Sequence, residues 1–255
     1  MHEPLPLSGV VICHNEADRI GRCVESLMAV CREVVVLDSG STDDTVAIAR
    51  GLGARVEHQD WLGFAAQKNA VIALASQPWV LLLDADEWLA PDARDTLRGL
   101  FAGPIEDADV WLLNRRTHFL GCAMRFGSFA REPVQRLFRA HLRHALLPVH
   151  EYLDVRGQRV QRSAIRMEHD TARNAAEYWA KLQRYARLWA EERQRQGKRA
   201  GAGRGAMAAI AYLLKNLLLR GGVLDGPRAW QFHWLHARYA KRKYDLLRGL
   251  GRTPG

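Results

Sequence analysis

Three carboxylates stand together at Asp84-Ala85-Asp86-Glu87, directly after the apolar run Trp79-Val80-Leu81-Leu82-Leu83. An apolar run that stops at a cluster of acids is typical of a buried parallel strand whose carboxyl end opens into a functional site. Alternating acids at a strand end can hold a divalent cation, and the cation can in turn hold a diphosphate. The alternative interpretation is a solvated turn, since acidic residues are also common in turns.

The chain before this cluster alternates strand-like and helix-like patterns. We predict helices over residues 18–30, 44–52 and 64–75, and strands over residues 7–13, 33–38, 54–57 and 79–84. This order predicts an α/β fold in which a mostly parallel sheet carries helices on both faces. Because right-handed crossovers place the carboxyl ends of such strands on one edge, the polar residues that follow the strands should meet there.

The alternation breaks after Pro104, where further strands are predicted, and the pattern is helical from Arg173 onwards. We therefore predict a catalytic domain over residues 1–170 and a basic, amphipathic helical region over residues 171–255. The apolar stretch 206–219 has 14 residues and contains Lys215. It is too short to span a bilayer, which needs roughly 20 residues. Its apolar stripe either packs on the catalytic domain or lies on a membrane surface.

The net charge of +9 is unevenly distributed along the 255 residues. Residues 1–161 contain 17 basic and 21 acidic residues, whereas residues 162–255 contain 20 and 7. This asymmetry indicates an anionic partner such as nucleic acid, a membrane surface or a phosphorylated glycolipid. The N-terminus lacks the pattern of a signal peptide, and the four cysteines have no metal-like spacing. We expect buried free thiols in a reducing cytoplasm.

Four motifs in order resemble the family 2 glycosyltransferases. They are VVICHNE at residues 10–16, VLDSGSTD at 36–43, QKN at 67–69 and LDADE at 83–87. With VHE at 149–151, the chain is most similar to the lipopolysaccharide-core glucosyltransferase branch. The resemblance covers roughly residues 7–245. It implies a GT-A fold, a nucleotide-sugar donor and transfer with net inversion.

The resemblance also implies a donor site at the first strand ends. Asn15, Glu16, Asp38 and Ser39 would bind the uracil edge and the ribose of a UDP-sugar, and Lys68 would contact the base or a phosphate. From the residues alone, helix capping remains open for the strand-end groups, and a solvated surface position remains open for the lysine.

The family pattern further implies a divalent metal, Mg²⁺ or Mn²⁺, at the acidic cluster. Asp86 would bind it directly, and Asp84 would contact the ribose or a metal-bound water. His169 resembles a late histidine that contacts the metal or diphosphate in related folds. Arg136 would pair with phosphates or with a charged acceptor.

Inversion needs a base that removes the proton of the acceptor hydroxyl. Glu151 is the candidate because it matches the VHE string, with Asp154 and Asp170 as competitors. Glucose is the sugar that the resemblance implies, although another hexose remains open.

Three functions remain open from the sequence. The first is metal-assisted transfer of a hexose to a lipopolysaccharide core or related glycolipid, at the cytoplasmic face of the inner membrane. The second has a polyprenyl phosphate as acceptor. The third is a non-catalytic nucleotide- or nucleic-acid-binding protein. No nucleic-acid partner is expected, because aromatic and basic residues do not interleave in an RNA-binding pattern.

Overall fold

The structure, a computed structural model, describes residues 3–146 and 152–251. These residues form two compact units. The first contains the chain up to Arg115 together with Arg131–His169, and the second contains Arg116–Ala130 together with the chain from Asp170 onwards. The predicted division into a catalytic domain over 1–170 and a helical region over 171–255 stays a prediction, because compactness does not assign function.

Within the described residues, nine strands belong to one sheet. They are β1 (Leu5–Cys13), β2 (Cys31–Asp38), β3 (Arg55–His58), β4 (Trp79–Asp84), β5 (Glu87–Leu89), β6 (Val110–Phe119), β7 (Cys122–Ala123), β8 (Glu132–Arg139) and β9 (Val160–Asp170). The strand order is β3-β2-β1-β4-β8-β6-β9-β5, and β7 pairs with β6. The first four strands in this order run parallel, whereas β8 is antiparallel to β4 and to β6.

Seven α-helices accompany the sheet in the described part of the chain. They are α1 (Ile20–Met28), α2 (Thr45–Gly51), α3 (Phe64–Ala73), α4 (Ala93–Ala102), α5 (Ala175–Arg195), α6 (Arg204–Leu213) and α7 (Pro227–Leu250). A π-helical segment, Leu214–Leu219, continues α6 directly, and a 3₁₀ turn, Gly222–Asp225, precedes α7. The first four helices lie in the first unit and the other three in the second.

Alternating side chains of the parallel strands fill two cores, one on each face of the sheet. Val11 and Leu83 pack with Ile20 and Leu97, which belong to α1 and α4. The neighbouring residues of the same strands, such as Leu82, pack instead in a core that includes residues of α3. Because successive side chains of a strand point to opposite faces, a strand covered by helices on both faces must be apolar throughout. This explains the unbroken apolar run before Asp84.

The predicted fold class is confirmed, with a parallel sheet covered by helices on both faces and a helical region at the C-terminus. The strands after Pro104 add an antiparallel part, so the complete sheet is mixed. All four cysteines lie in the described residues and are free thiols, three of them buried.

The second unit has an aromatic core of its own. Phe119, Tyr178 and Phe232 contact one another with ring centroids 5.3–5.7 Å apart. The Tyr178 hydroxyl lies 2.7 Å from Nε2 of His236, so the buried polar tip of the ring has a partner. Asn174 caps α5, because its side-chain oxygen accepts a hydrogen bond from the Glu177 backbone N–H at 2.8 Å. Helices α5 and α7 thus pack around a buried aromatic centre.

Candidate active site

The carboxyl ends of three adjacent parallel strands lie side by side in the first unit. The register pairs Cys13 of β1 with Asp38 of β2, and Ile12 of β1 with Asp84 of β4. The polar residues that follow these strands therefore share one edge of the sheet, as the sequence predicted.

The loop after β2 wraps around the Asp38 carboxylate. Its Oδ2 accepts hydrogen bonds from the backbone N–H groups of Gly40 and Ser41, both at 2.9 Å, and its Oδ1 accepts from the Ser41 hydroxyl. Burial opposes ionisation of this side chain, but the hydrogen bonds outweigh it and lower the pKa of Asp38 below its usual value. Asp38 is thus a fixed anion at the sheet edge. Ser41 bonds to Asp38 rather than capping α2.

The loop after β1 is tied to the same segment. Asn15 adopts a left-handed backbone conformation with φ 53°. Its backbone N–H donates to the Ser41 hydroxyl at 2.9 Å, and its side-chain oxygen accepts from the Thr42 backbone N–H at 2.8 Å. The next backbone N–H, that of Glu16, donates to the Thr45 hydroxyl at 2.8 Å. These bonds hold the predicted base- and ribose-binding residues in one place.

Helix α3 presents three consecutive polar side chains to three different parts of the site. Gln67 donates to the hydroxyl of Ser39 at 3.0 Å. The amine of Lys68 lies 3.1 Å from Oδ1 of Asp84. Asn69 forms two hydrogen bonds, of 2.9 and 2.7 Å, with the backbone of His144. Both Gln67 and Lys68 are buried, so the surface interpretation of the lysine is wrong.

Asp84 lies between two cations. Arg136, on β8, approaches Oδ2 of Asp84 at 2.5 Å, while Lys68 faces the other oxygen. Burial raises the cost of the charge, yet the Coulombic attraction of Arg136 and Lys68 holds the pKa of Asp84 far below its usual value.

The Glu87 side chain is fully buried and belongs to the same charge network. Its carboxylate lies 2.7 Å from Arg136 and 3.0 Å from Arg115, and it accepts the Asp84 backbone N–H at 3.0 Å. A buried charge is tolerated only when it is paired and hydrogen-bonded. Glu87 therefore fixes both the strand end and the two arginines.

Asp86 lies in a second charged group beside the first. Its Oδ2 lies 3.6 Å from Arg19 and 3.4 Å from Nε2 of His169. The antiparallel pairing of β5 with β9 aligns Glu87 with His169, which brings the histidine to the acidic cluster from far along the chain. The Nδ1 atom of His169 is buried and has no hydrogen-bond partner among the described residues.

The sequence model of the family described as Glycosyl transferase family 2 matches residues 8–119. That range contains β1 to β4, the loop around Asp38, the QKN segment of α3 and the acidic cluster. Residues 8–119 are a family 2 glycosyltransferase domain. The resemblance predicted from the motifs is confirmed over these residues.

Two curated relatives of this glycosyltransferase domain are informative. The lipopolysaccharide core biosynthesis glycosyltransferase LpsC of Rhizobium meliloti is 40% identical over 122 residues, which are 46% of this chain and 44% of that protein. An uncharacterized glycosyltransferase of Rickettsia felis is 44% identical over 101 residues, which are 40% of this chain and 36% of that protein. The chain thus matches less than half the length of these relatives.

Two solved structures show a partial likeness. S. aureus TarS 1-349 is 15% identical with a TM-score of 0.48, over 71% of this chain and 64% of that one. Glucosyl-3-phosphoglycerate synthase from Mycobacterium tuberculosis, in complex with Mn²⁺, UDP and glucosyl-3-phosphoglycerate, is 27% identical with a TM-score of 0.35, over 44% of each chain.

The donor atoms at the acidic cluster of the glycosyltransferase domain test the predicted metal site. Among the described residues, no group of three or more His, Cys, Asp or Glu side chains is arranged to hold a metal ion. Both oxygens of Asp84 already face cations, and Oδ2 of Asp86 lies 3.4 Å from Nε2 of His169 and 3.6 Å from Arg19. Mg²⁺ is usually bound by one or two carboxylates and completes its shell with water and substrate phosphates. The Asp86 carboxylate fits such a site, and His169 adds a nitrogen beside it.

The three candidate bases differ in their surroundings. Glu151 lies outside the described residues, so its assignment stays a prediction. Asp154 binds Arg156 at 2.6 Å, and this hydrogen bond lowers the pKa of Asp154 to about 2. Asp170 is the last residue of β9.

Sequence reasoning missed several partners of the site. Arg115 and Glu132 form an ion pair of 2.6 Å across paired strands, and Arg19 joins Asp86 to Glu16. His144 was also missed: burial, followed by the charges of Lys68 and Arg136, lowers its pKa to about 4, so its imidazole is neutral at pH 7. The sequence held one signal for these partners. An acidic residue that directly follows a buried strand needs a cation beside it, so the acidic cluster after β4 implied nearby basic residues.

Proposed function

We propose that the chain is an inverting glycosyltransferase that moves a hexose, glucose in our expectation, from a UDP-sugar to a lipopolysaccharide core or related glycolipid. The observation that supports it most is the edge of the sheet in the family 2 domain. There Asp38 and Asp84, both held as anions, end the two strands that flank β1, and Asp84 pairs with Lys68 and Arg136.

The donor would lie along this edge. The side chains of Asn15, Glu16, Asp38 and Ser39 would bind a uracil edge and a ribose diol there. Lys68 and Arg136 are the cations nearest to Asp84, and a diphosphate would receive charge-assisted hydrogen bonds from them.

Asp86 and His169 would hold a divalent cation. When bound there, Mg²⁺ or Mn²⁺ supplies Lewis-acid stabilisation of the charge that develops on the departing nucleoside diphosphate. The residues of the chain have separate tasks: Glu87 fixes Arg136, and Arg136 orients Asp84.

The proton of the acceptor hydroxyl would pass to a carboxylate as its oxygen attacks the anomeric carbon. We keep Glu151 as the proposed base. Asp154 is a weaker candidate, because a carboxylate with a pKa of about 2 has little tendency to accept a proton at neutral pH.

The glycolipid acceptor is proposed from the motif resemblance and from the likeness to LpsC. With a lipid-linked acceptor, we propose that the protein acts peripherally at the cytoplasmic face of the inner membrane. No helix in the described part of the chain is long and apolar enough to cross a membrane. A polyprenyl phosphate is the alternative acceptor, and turnover on it without turnover on core glycolipid would select it.

Isothermal titration with UDP, with and without Mn²⁺, tests the donor site. We expect wild-type protein to bind UDP more tightly with Mn²⁺ and the Asp86→Ala variant to lose this dependence. Asp92→Ala, which removes an exposed partner of Arg166 in the same unit, is the matched control and should bind like wild type.

Failure of the folded wild type to bind UDP would remove the UDP-sugar from the proposal, and ADP and GDP would be titrated next. Salt-sensitive retention of DNA on filters, without binding of any nucleotide, would favour the non-catalytic nucleic-acid-binding alternative.

A further inference from the structure

Helix α6 and the π-helical segment that continues it, both in the second unit, carry apolar side chains on the outside. Met207, Ile210, Leu214 and Leu218 follow one another at helical spacing, and each has 50–58% of its surface exposed. In a globular protein such a stripe normally faces the core. Here each of these four side chains is at least half exposed.

The inward face of the same helical segment is small and polar. Gly205, Tyr212 and Asn216 lie at helical spacing on that face. A β-carbon at Gly205 would be 2.8 Å from the Lys241 carbonyl oxygen, so α6 approaches α7 closely at this point. The Tyr212 hydroxyl lies 3.0 Å from Nδ1 of His233. Asn216 is buried, and its side-chain oxygen accepts from the Ser128 hydroxyl at 2.7 Å.

These inward hydrogen bonds fix the rotation of the helix. Rotating the helix to bury the leucines would break the hydrogen bonds of Tyr212 and Asn216. The apolar side chains that replaced them on the inward face could not form those bonds. The unit also does not need the leucines inside, because Phe119, Tyr178 and Phe232 already fill its core. The outward apolar face is therefore a consequence of the packing.

The exposed apolar surface continues beyond α6. Leu219 is 85% exposed at the end of the π-helical segment, and Leu224 is 69% exposed in the 3₁₀ turn. The indole N–H of Trp230 donates to the Val223 carbonyl at 2.9 Å, which places this half-exposed ring against the turn. Trp234 is exposed one helical turn further along α7. We call the exposed side chains of this region the apolar stripe: Met207, Ile210, Leu214, Leu218, Leu219, Leu224, Trp230 and Trp234.

The charge around the apolar stripe is positive. Residues 204–230 contain four basic residues, Arg204, Lys215, Arg220 and Arg228, and one acidic residue, Asp225. The carboxylate of Asp225 is engaged, because it accepts the backbone N–H groups of Arg125 and Phe126 at 3.0 and 3.1 Å. A partner of this surface must therefore be apolar and anionic at once.

We propose that the apolar stripe seats the protein on an anionic lipid surface. The leucines and tryptophans would enter the boundary between headgroups and acyl chains, and Arg204, Lys215 and Arg228 would lie at the level of the anionic headgroups. The guanidinium of Arg220 is already engaged, because it donates to the Ser128 hydroxyl. A helix that lies at a membrane interface typically combines exposed tryptophans and leucines with basic residues. This inference rests on the proposed function and deepens it by naming the lipid partner. Lipid binding can nevertheless be measured without turnover.

Flotation of the full chain with vesicles tests the proposal. Vesicles of phosphatidylcholine with one third phosphatidylglycerol should carry the wild type upwards, and pure phosphatidylcholine should carry much less. The double variant Leu218→Ser/Leu219→Ser should bind the anionic vesicles at least about tenfold more weakly. Lys215→Gln should bind about fivefold more weakly.

The matched control is Tyr185→Ser/Leu188→Ser, which removes two apolar residues of α5 in the same unit that are 43% and 40% exposed. It should float like wild type. UDP titration of every variant shows that the fold and the donor site are intact, so failure of lipid binding and failure of the proposed function are separate results.

Three outcomes would overturn the proposal. The first is a folded wild type that does not bind anionic vesicles. The second is a Leu218→Ser/Leu219→Ser variant that floats like wild type. The third is a wild-type dimer in sedimentation equilibrium that the same double variant converts to monomer, since the apolar stripe would then be covered by a second copy of the chain. A blue shift of tryptophan emission on adding anionic vesicles, absent in Trp230→Tyr/Trp234→Tyr, would support it.

Discussion

Two regions of the molecule depart from the usual rule that apolar side chains are buried and charged side chains are exposed. One is the sheet edge of the first unit, and the other is helix α6 with its π-helical continuation in the second unit. In the first unit, charge is inside: Glu87 is fully buried between Arg115 and Arg136. In the second, apolar surface is outside, on the stripe that includes Leu214 and Leu218. Both arrangements cost free energy when the protein has no ligand or partner bound. Each is held in place by hydrogen bonds to neighbouring residues. The comparison teaches that a departure from ordinary burial indicates where a ligand or partner belongs.

Removing the buried carboxylate should have the largest effect. Glu87→Ala leaves Arg115 and Arg136 without their shared partner, and we expect a loss of about 3–5 kcal/mol in the free energy of unfolding. Urea denaturation measures it. Glu132→Ala is the matched control, because this carboxylate pairs with Arg115 but is 42% exposed, and its loss should cost at most about 1 kcal/mol. Equal effects of the two variants would contradict the role given to Glu87.

The second prediction concerns the hydrogen bonds of Asn69. Asn69→Ala removes both bonds to the His144 backbone, and we expect a loss of about 2 kcal/mol, at about 1 kcal/mol for each bond. Thermal unfolding followed by circular dichroism would detect it. Gln59→Ala, which removes a single exposed hydrogen bond to the Asp60 carbonyl, should change the midpoint little. A midpoint unchanged in Asn69→Ala would show that the two bonds contribute nothing net.

The third prediction is a pH dependence from Asp84. Its folded-state pKa is lowered, so the charged form stabilises the native state above the ordinary aspartate pKa of about 3.9. This stabilisation is lost as the pH falls below that value. In urea titrations between pH 6 and pH 3, Asp84→Asn should lose stability less steeply than wild type, by up to about 1.4 kcal/mol per pH unit. Parallel curves for the two proteins would contradict the assignment.

The smallest effect should come from the apolar stripe. Leu214→Ser should change the free energy of unfolding by no more than about 0.5 kcal/mol, because the side chain is half-exposed and holds no core. Leu83→Ala, at a fully buried residue of β4, should cost about 2–5 kcal/mol. Chemical denaturation of both in lipid-free buffer compares them. A large loss in Leu214→Ser would mean that the stripe supports the fold rather than a partner.

Much of the sheet edge was predictable because its signals are local. Asp38 and Asp84 each end an apolar strand, and parallel topology then brings them together without further information. The partners of Glu87 could not be predicted in the same way. Arg115 and Arg136 lie on β6 and β8, whose pairing and register depend on contacts distant in sequence. Local pattern specifies strand ends, but it does not specify which antiparallel neighbours face them.

The second unit shows the same limit. The spacing of Ile210, Leu214 and Leu218 predicts a helix with an apolar stripe, but it does not say which way the stripe faces. The direction is decided by Tyr212 and Asn216, whose hydrogen bonds reach His233 and Ser128. A polar residue on the inward face has no periodic signal, so the outward orientation required the structure.

Asn15 keeps a left-handed backbone, which an L-residue adopts at a cost of roughly 1–3 kcal/mol. Glycine would avoid that strain, yet it lacks the side-chain oxygen that accepts the Thr42 N–H. The strained residue therefore joins the loops after β1 and β2 while the chain folds. The conformational entropy of ordering both loops is then lost during folding. A nucleotide bound as proposed would meet a rigid surface and would lose less affinity to the ordering of these loops.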